Sequence, residues 1–161
     1  MTVIKHKTFL YLILIFSIFA LCAAYFIQYV LGYEPCSLCL IERVPFLAVI
    51  IITSLCLFLK RFERMSLLFI SLVFFSLTLI SVYHFGIEKG FITESLVCKI
   101  SAGSDILTKE ELLKQLNKRI VSCKDVTFKI LGLSLATINI FISLVLSITI
   151  LKLFLDYEKN K

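Results

Sequence analysis

Charge is what this sequence has least of. Only 17% of its 161 residues are Asp, Glu, Lys or Arg, and 60% are hydrophobic. An average soluble domain is about a quarter charged and about half apolar. The shortage is concentrated: Phe9–Val30 has no charged residue in 22 positions, which leaves no polar face for water and excludes an ordinary soluble fold. Other absences narrow the chemistry. No βαβ pattern is present, which excludes a thioredoxin-like domain. Leu40 rather than His follows Cys36-Ser37-Leu38-Cys39, which excludes covalent haem attachment. No small-residue cleavage site stands clear of the first apolar run, so a retained first helix is expected rather than a signal peptide. The net charge of +6 does not indicate nucleic acid, because the cations lie at the ends of the chain and between the apolar runs, and most of the 15 Phe lie within those runs.

What is present is membrane. At about 1.5 Å per residue the run Phe9–Val30 reaches about 33 Å, enough to cross a hydrocarbon core of about 30 Å. A second run, Val44–Leu59, has only 16 residues. It becomes a span if the helix begins near Cys39, which puts Glu42 and Arg43 in the helix at the membrane surface and Pro45 in its first turns. Four spans are expected, at about 9–30, 40–59, 65–85 and 131–151. The fold class is therefore all-α: a four-transmembrane-helix bundle, one integral-membrane domain over residues 1–161. The long connection 86–130 carries Thr108-Lys109-Glu110-Glu111, a capping box with Leu107 and Leu112 spaced as a hydrophobic staple. Leu112, Leu113, Leu116 and Ile120 continue as an apolar stripe. A short amphipathic helix is expected from about Lys109 to Arg119, along the membrane surface or against the spans.

Four spans put the connections 31–39 and 86–130 on one side and both termini on the other. The basic turn Lys60–Arg64 leans toward a cytoplasmic position for the termini. Cysteine chemistry gives the stronger argument, since paired thiols persist as disulfides only on the oxidising side. The cysteine loops are therefore expected in the periplasm, with the chain in a bacterial inner membrane.

Of six cysteines, Cys22 and Cys56 fall inside apolar runs and read as small buried apolar residues. Cys36, Cys39, Cys98 and Cys123 lie outside the runs, in two groups of two. The spacing of Cys36 and Cys39 leaves three readings open: a redox dithiol, half of a zinc site, or a structural disulfide. Arg43 stands four residues after Cys39, one helical turn along the same face, where a guanidinium would stabilise a Cys39 thiolate. A headgroup-seeking arginine is the plainer alternative. Cys98 and Cys123 enclose a loop whose disulfide could stabilise by about 3 kcal/mol, or could exchange with the first pair.

Cys36-Ser37-Leu38-Cys39-Leu40-Ile41-Glu42-Arg43-Val44 resembles the signature of the DsbB family, the membrane disulfide-forming proteins that oxidise periplasmic DsbA. Tyr83-His84-Phe85-Gly86-Ile87-Glu88 and Leu131-Gly132-Leu133 also resemble family stretches, and the likeness covers nearly the whole chain. The neighbourhood of Cys98 departs from it, lacking a proline that some members carry. The resemblance implies a protein-dithiol:quinone oxidoreductase with ubiquinone or menaquinone as electron acceptor. It implies that a DsbA-like partner attacks Cys98, that Cys123 leaves and exchanges onto Cys36, and that Cys39 faces the quinone. Arg43, His84 and Glu42 are implied around the quinone, His84 competing with a plain interfacial role, and no resident metal is implied. The alternative is a zinc-binding four-Cys membrane module without redox turnover. A vitamin-K-epoxide-reductase-like enzyme normally places its CxxC late in the chain, which the early position here argues against.

Overall fold

The structure is a computed structural model, and it describes residues 2–59, 63–93, 123, 129–130 and 133–159. The expected helix Lys109–Arg119 and Cys98 lie outside these residues. The described elements are α1 (Thr2–Tyr29), α2 (Ser37–Ile41), α3 (Arg43–Leu59), α4 (Glu63–Glu88), β1 (Lys129–Ile130), β2 (Leu133–Ser134) and α5 (Leu135–Lys159). Among the described residues, four stretches are long and apolar enough to cross a membrane: Lys7–Tyr29, Ser37–Leu59, Arg64–Glu88 and Leu135–Asp156. α2 and α3 together supply the second. The chain is a multi-pass membrane protein.

Burial follows from a lipid surround. Large apolar side chains such as Phe19, Phe58, Phe75 and Phe141 point outward, half or more exposed. In water these would form an adhesive patch; against acyl chains they are the solvent-facing surface. The interior is built from all four spans, with Leu10, Ile13, Phe46, Val49, Phe74, Leu77 and Ile150 buried together. Phe46 stands edge-on to Phe74, with ring centroids 6.2 Å apart.

Because lipid is as apolar as leucine, polar contacts contribute to helix pairing. α4 and α5 pair this way. Ser71 Oγ donates to the Ser147 carbonyl at 3.1 Å, and Ser147 Oγ returns the bond to the Ser71 carbonyl at 3.2 Å. One end of the same seam is tied by Thr78 Oγ1 donating to Ser143 Oγ at 2.9 Å. The side chains Asn139, Ser143 and Ser147 fall every fourth residue, on one face of α5.

Two helix ends position the site. α4 closes in a Schellman arrangement: Phe91 N–H donates to the Gly86 carbonyl at 2.9 Å and Gly90 N–H to that of Ile87 at 3.0 Å, with Gly90 at φ +77°. Ile92 then folds back onto Gly86, where an added Cβ would meet its Cδ1 at 2.7 Å. This fixes the helix end one turn beyond His84. α5 starts at Leu135, later than the sequence suggests. Ser134 caps it by accepting the Thr137 N–H at 3.3 Å, and Lys129 and Ile130 pair antiparallel with Ser134 and Leu133 just before it.

Candidate active site

The second span begins with a constraint of backbone chemistry. Pro45 has no N–H for Ile41, and in a continuous helix its ring would press on that carbonyl. It is accepted within the first turn of a new helix. Accordingly α2 ends at Ile41, α3 begins at Arg43, and Glu42 lies between them, its N–H donating to the Leu38 carbonyl at 2.9 Å. The helix expected through Cys39–Arg43 is interrupted only at Glu42, whose backbone stays in the right-handed helical region. Glu42 turns inward and is 4% exposed. Arg43 turns toward α1.

Cys36 precedes α2 in extended backbone, and its sulfur accepts the Cys39 N–H at 3.4 Å, the place a serine or aspartate oxygen takes in an ordinary N-cap. Cys36 and Cys39 are free cysteines with their Sγ atoms 3.1 Å apart. His84 Nε2, from α4, lies 3.5 Å from Cys36 Sγ. The other ring nitrogen, Nδ1, lies 2.9 Å from Glu42 Oε1, and Asn139 Nδ2 donates to Glu42 Oε2 at 2.9 Å. A carboxylate only accepts, so Nδ1–H donates to it and Nε2 is left to face the sulfur. Thiol, imidazole, carboxylate and amide thus form one chain drawn from three spans.

Cys36, just ahead of the second span, has its pKa lowered to about 5. The hydrogen bond from Cys39 is the main cause and His84 assists; burial acts in the opposite direction. A nucleophile, a base beside it and a group that orients the base is the general form of an activated thiol.

Arg43 is held by α1. Nη1 donates to Gln28 Oε1 at 2.6 Å, Nη2 to the Ala24 carbonyl at 3.5 Å, and Cζ stands 5.0 Å over the Tyr25 ring. These contacts all lie on α1.

Cys123 is disulfide-bonded and 3% exposed. It packs with Cys36, Leu38 and Ile87, with Cys39 and Tyr83 at the margin of that cluster. Cys36, Cys39, Cys123, Glu42, Arg43 and His84 all line one cavity of about 230 Å³. Its other wall is α1, through Ala20, Ala23, Ala24 and Ile27. These recur on one helical face, and the alanines leave the space open. Among the described residues, Cys36, Cys39 and His84 also bring three metal-ligating atoms within 4.8 Å of one another. Cys123, being disulfide-bonded, offers no thiolate to a metal ion.

The family described as disulfide bond formation protein DsbB matches residues 6–153. The chain belongs to the DsbB family. An uncharacterized protein of Rickettsia prowazekii (strain Madrid E) is 32% identical to it over 97% of this chain and 91% of that one. No solved structure matches the chain. Family membership suggests an oxidoreductase of disulfide formation. In this DsbB-family chain three contributors escaped the sequence reading: Asn139, Gln28 and the alanine face of α1. The first two had a visible signal, each being the sole amide in its apolar run.

Proposed function

We propose that the protein is a thiol:quinone oxidoreductase of the inner membrane, with its cysteine loops periplasmic and both termini cytoplasmic. It reoxidises a DsbA-like dithiol and passes the electrons to ubiquinone or menaquinone. The observation that carries this reading is the burial of Cys123, a disulfide cysteine, against the free pair Cys36 and Cys39 beside His84.

The exchange balances by thiolate attack alone. A partner thiolate attacks Cys98 of a Cys98–Cys123 disulfide, forming a mixed disulfide and releasing Cys123 as thiolate. Cys123 attacks Cys36 of an oxidised Cys36–Cys39 pair, and Cys39 leaves as thiolate. The partner's second thiol closes its own disulfide and frees Cys98, which attacks Cys123, rebuilds the loop disulfide and releases Cys36. The net result is one new disulfide on the partner and one dithiol, Cys36 with Cys39. In the exchange a protonated His84 donates Nε2–H to Cys36 as it leaves, and the neutral ring takes that proton back when the pair is reoxidised. Glu42 and Asn139 hold the imidazole in place for this.

The cavity suits a quinone ring. About 230 Å³ is below the roughly 300–1,000 Å³ of pockets that enclose drug-sized ligands, so a ring fits and a prenyl tail would extend past the alanine wall. Arg43, held by Gln28 and Ala24, presents a fixed cation to that space, which favours developing negative charge. A quinone bound there supplies the sink for two electrons and two protons.

Thiol trapping in cells tests the reading. Cys36 and Cys39 should be oxidised when quinone is available and reduced when it is depleted. If they stay reduced under aerobic growth, the proposal fails.

A further inference from the structure

We propose that the reduced protein holds one thiophilic d10 cation of the Zn²⁺ class between Cys36 Sγ, Cys39 Sγ and His84 Nε2, and that the ion blocks turnover by occupying the dithiol. Around a tetrahedral ion with Zn–S of about 2.3 Å and Zn–N of about 2.0–2.1 Å, two sulfurs stand about 3.8 Å apart and sulfur and nitrogen about 3.6 Å. Here the sulfurs are 3.1 Å apart, and Cys36 Sγ and His84 Nε2 are 3.5 Å apart. The sulfurs need to open slightly, the Cys36–imidazole separation already suits, and all three ligand atoms lie within 4.8 Å of one another.

The outer shell is also built. A metal-binding histidine usually donates its second N–H to a carboxylate, which fixes ring orientation and raises basicity. His84 does so to Glu42 at 2.9 Å, and Asn139 fixes the carboxylate in turn. A dication with two thiolates is neutral, which suits a buried site. The adjoining cavity leaves the fourth position to water. Both sulfurs bind as thiolates, the protons they carried go to solvent, and no electron moves. A Cys36–Cys39 disulfide has no thiolate, so the site exists only in the reduced state. The metal site stands on its own geometry; its inhibitory effect rests on the turnover proposed above.

The test uses the full chain in nanodiscs with Cys22→Ala and Cys56→Ala to remove stray thiols. Co²⁺ alone is the spectroscopic probe and Zn²⁺ its competitor. The reduced chain should bind one ion with thiolate-to-cobalt charge-transfer and tetrahedral d–d bands, and the oxidised chain none. Cys39→Ser should weaken the charge-transfer band, and Glu42→Gln should weaken affinity about 10–100-fold. Zn²⁺ should protect Cys36 and Cys39 from alkylation and slow thiol oxidation, both reversed by chelator. Equal binding by the oxidised chain, or affinity unchanged in His84→Ala, overturns the site. Binding lost in Cys98→Ser but kept in His84→Ala would assign the ion to a four-cysteine site and overturn it too. Metal binding that does not slow oxidation overturns the inhibitory half. A chain that oxidises no dithiol even without metal fails the turnover reading instead, and the cobalt spectrum still reads the site.

Discussion

His84 Nδ1 and Glu42 Oε1 stand 2.9 Å apart, joining the end of the third span to the break in the second. The fourth span completes the arrangement, because Asn139 occupies the other carboxylate oxygen at 2.9 Å. A group that touches Cys36 is thereby held from two further spans.

Substitution along this chain should show a graded loss. His84→Ala removes the imidazole beside Cys36 and should slow exchange by about 10²-fold, in the range for a positioned acid–base group. Glu42→Gln should cost less, since an amide oxygen still accepts from Nδ1. Asn139→Leu leaves Glu42 Oε2 without its donor, a loss of about 1–3 kcal/mol. Initial rates of partner oxidation and thermal unfolding in detergent read the two effects.

The lowered pKa of Cys36 gives a pH dependence of definite sign. A folded-state value of about 5, below the ordinary thiol range, keeps the anion present down to that pH and loses it only as pH falls further. Alkylation of Cys36 in the reduced protein should therefore rise with pH up to about 5 and then level off. An unperturbed cysteine would continue rising to about 8.5. Cys39→Ala should move the midpoint upward, because the bond from Cys39 is the main cause of the shift.

The alanine wall gives a prediction that separates quinone binding from thiol exchange. Ala23→Leu fills part of the cavity of about 230 Å³ and should raise the quinone KM about tenfold, equivalent to about 1.4 kcal/mol. Exchange between the partner and the cysteines should keep its rate. Steady-state kinetics with varied quinone, beside single-turnover thiol exchange, check the split.

Four spans and the mainly helical class were legible in the sequence because long charge-free runs admit few structures. The site was legible in its residue types more than in its contacts. A four-residue spacing suggested that Cys39 and Arg43 share a helical face. What the spacing could not show is that Arg43 also reaches Gln28 and Ala24 on α1. Gln28 and Asn139 were visible as lone amides in apolar runs, but their partners lie 15 and 97 residues away. Pairings at such separations follow from how the spans pack, which periodicity does not encode.

The central claim is tested most directly by an anaerobic single turnover. Purified protein in nanodiscs is mixed with a reduced thioredoxin-fold dithiol and a membrane quinone, and disulfide and quinol are both counted. One quinol should form per disulfide, with formation lost in each of Cys36→Ser, Cys39→Ser, Cys98→Ser and Cys123→Ser. Disulfide without quinol, or quinol still formed when Cys36 or Cys39 is replaced, would contradict the account.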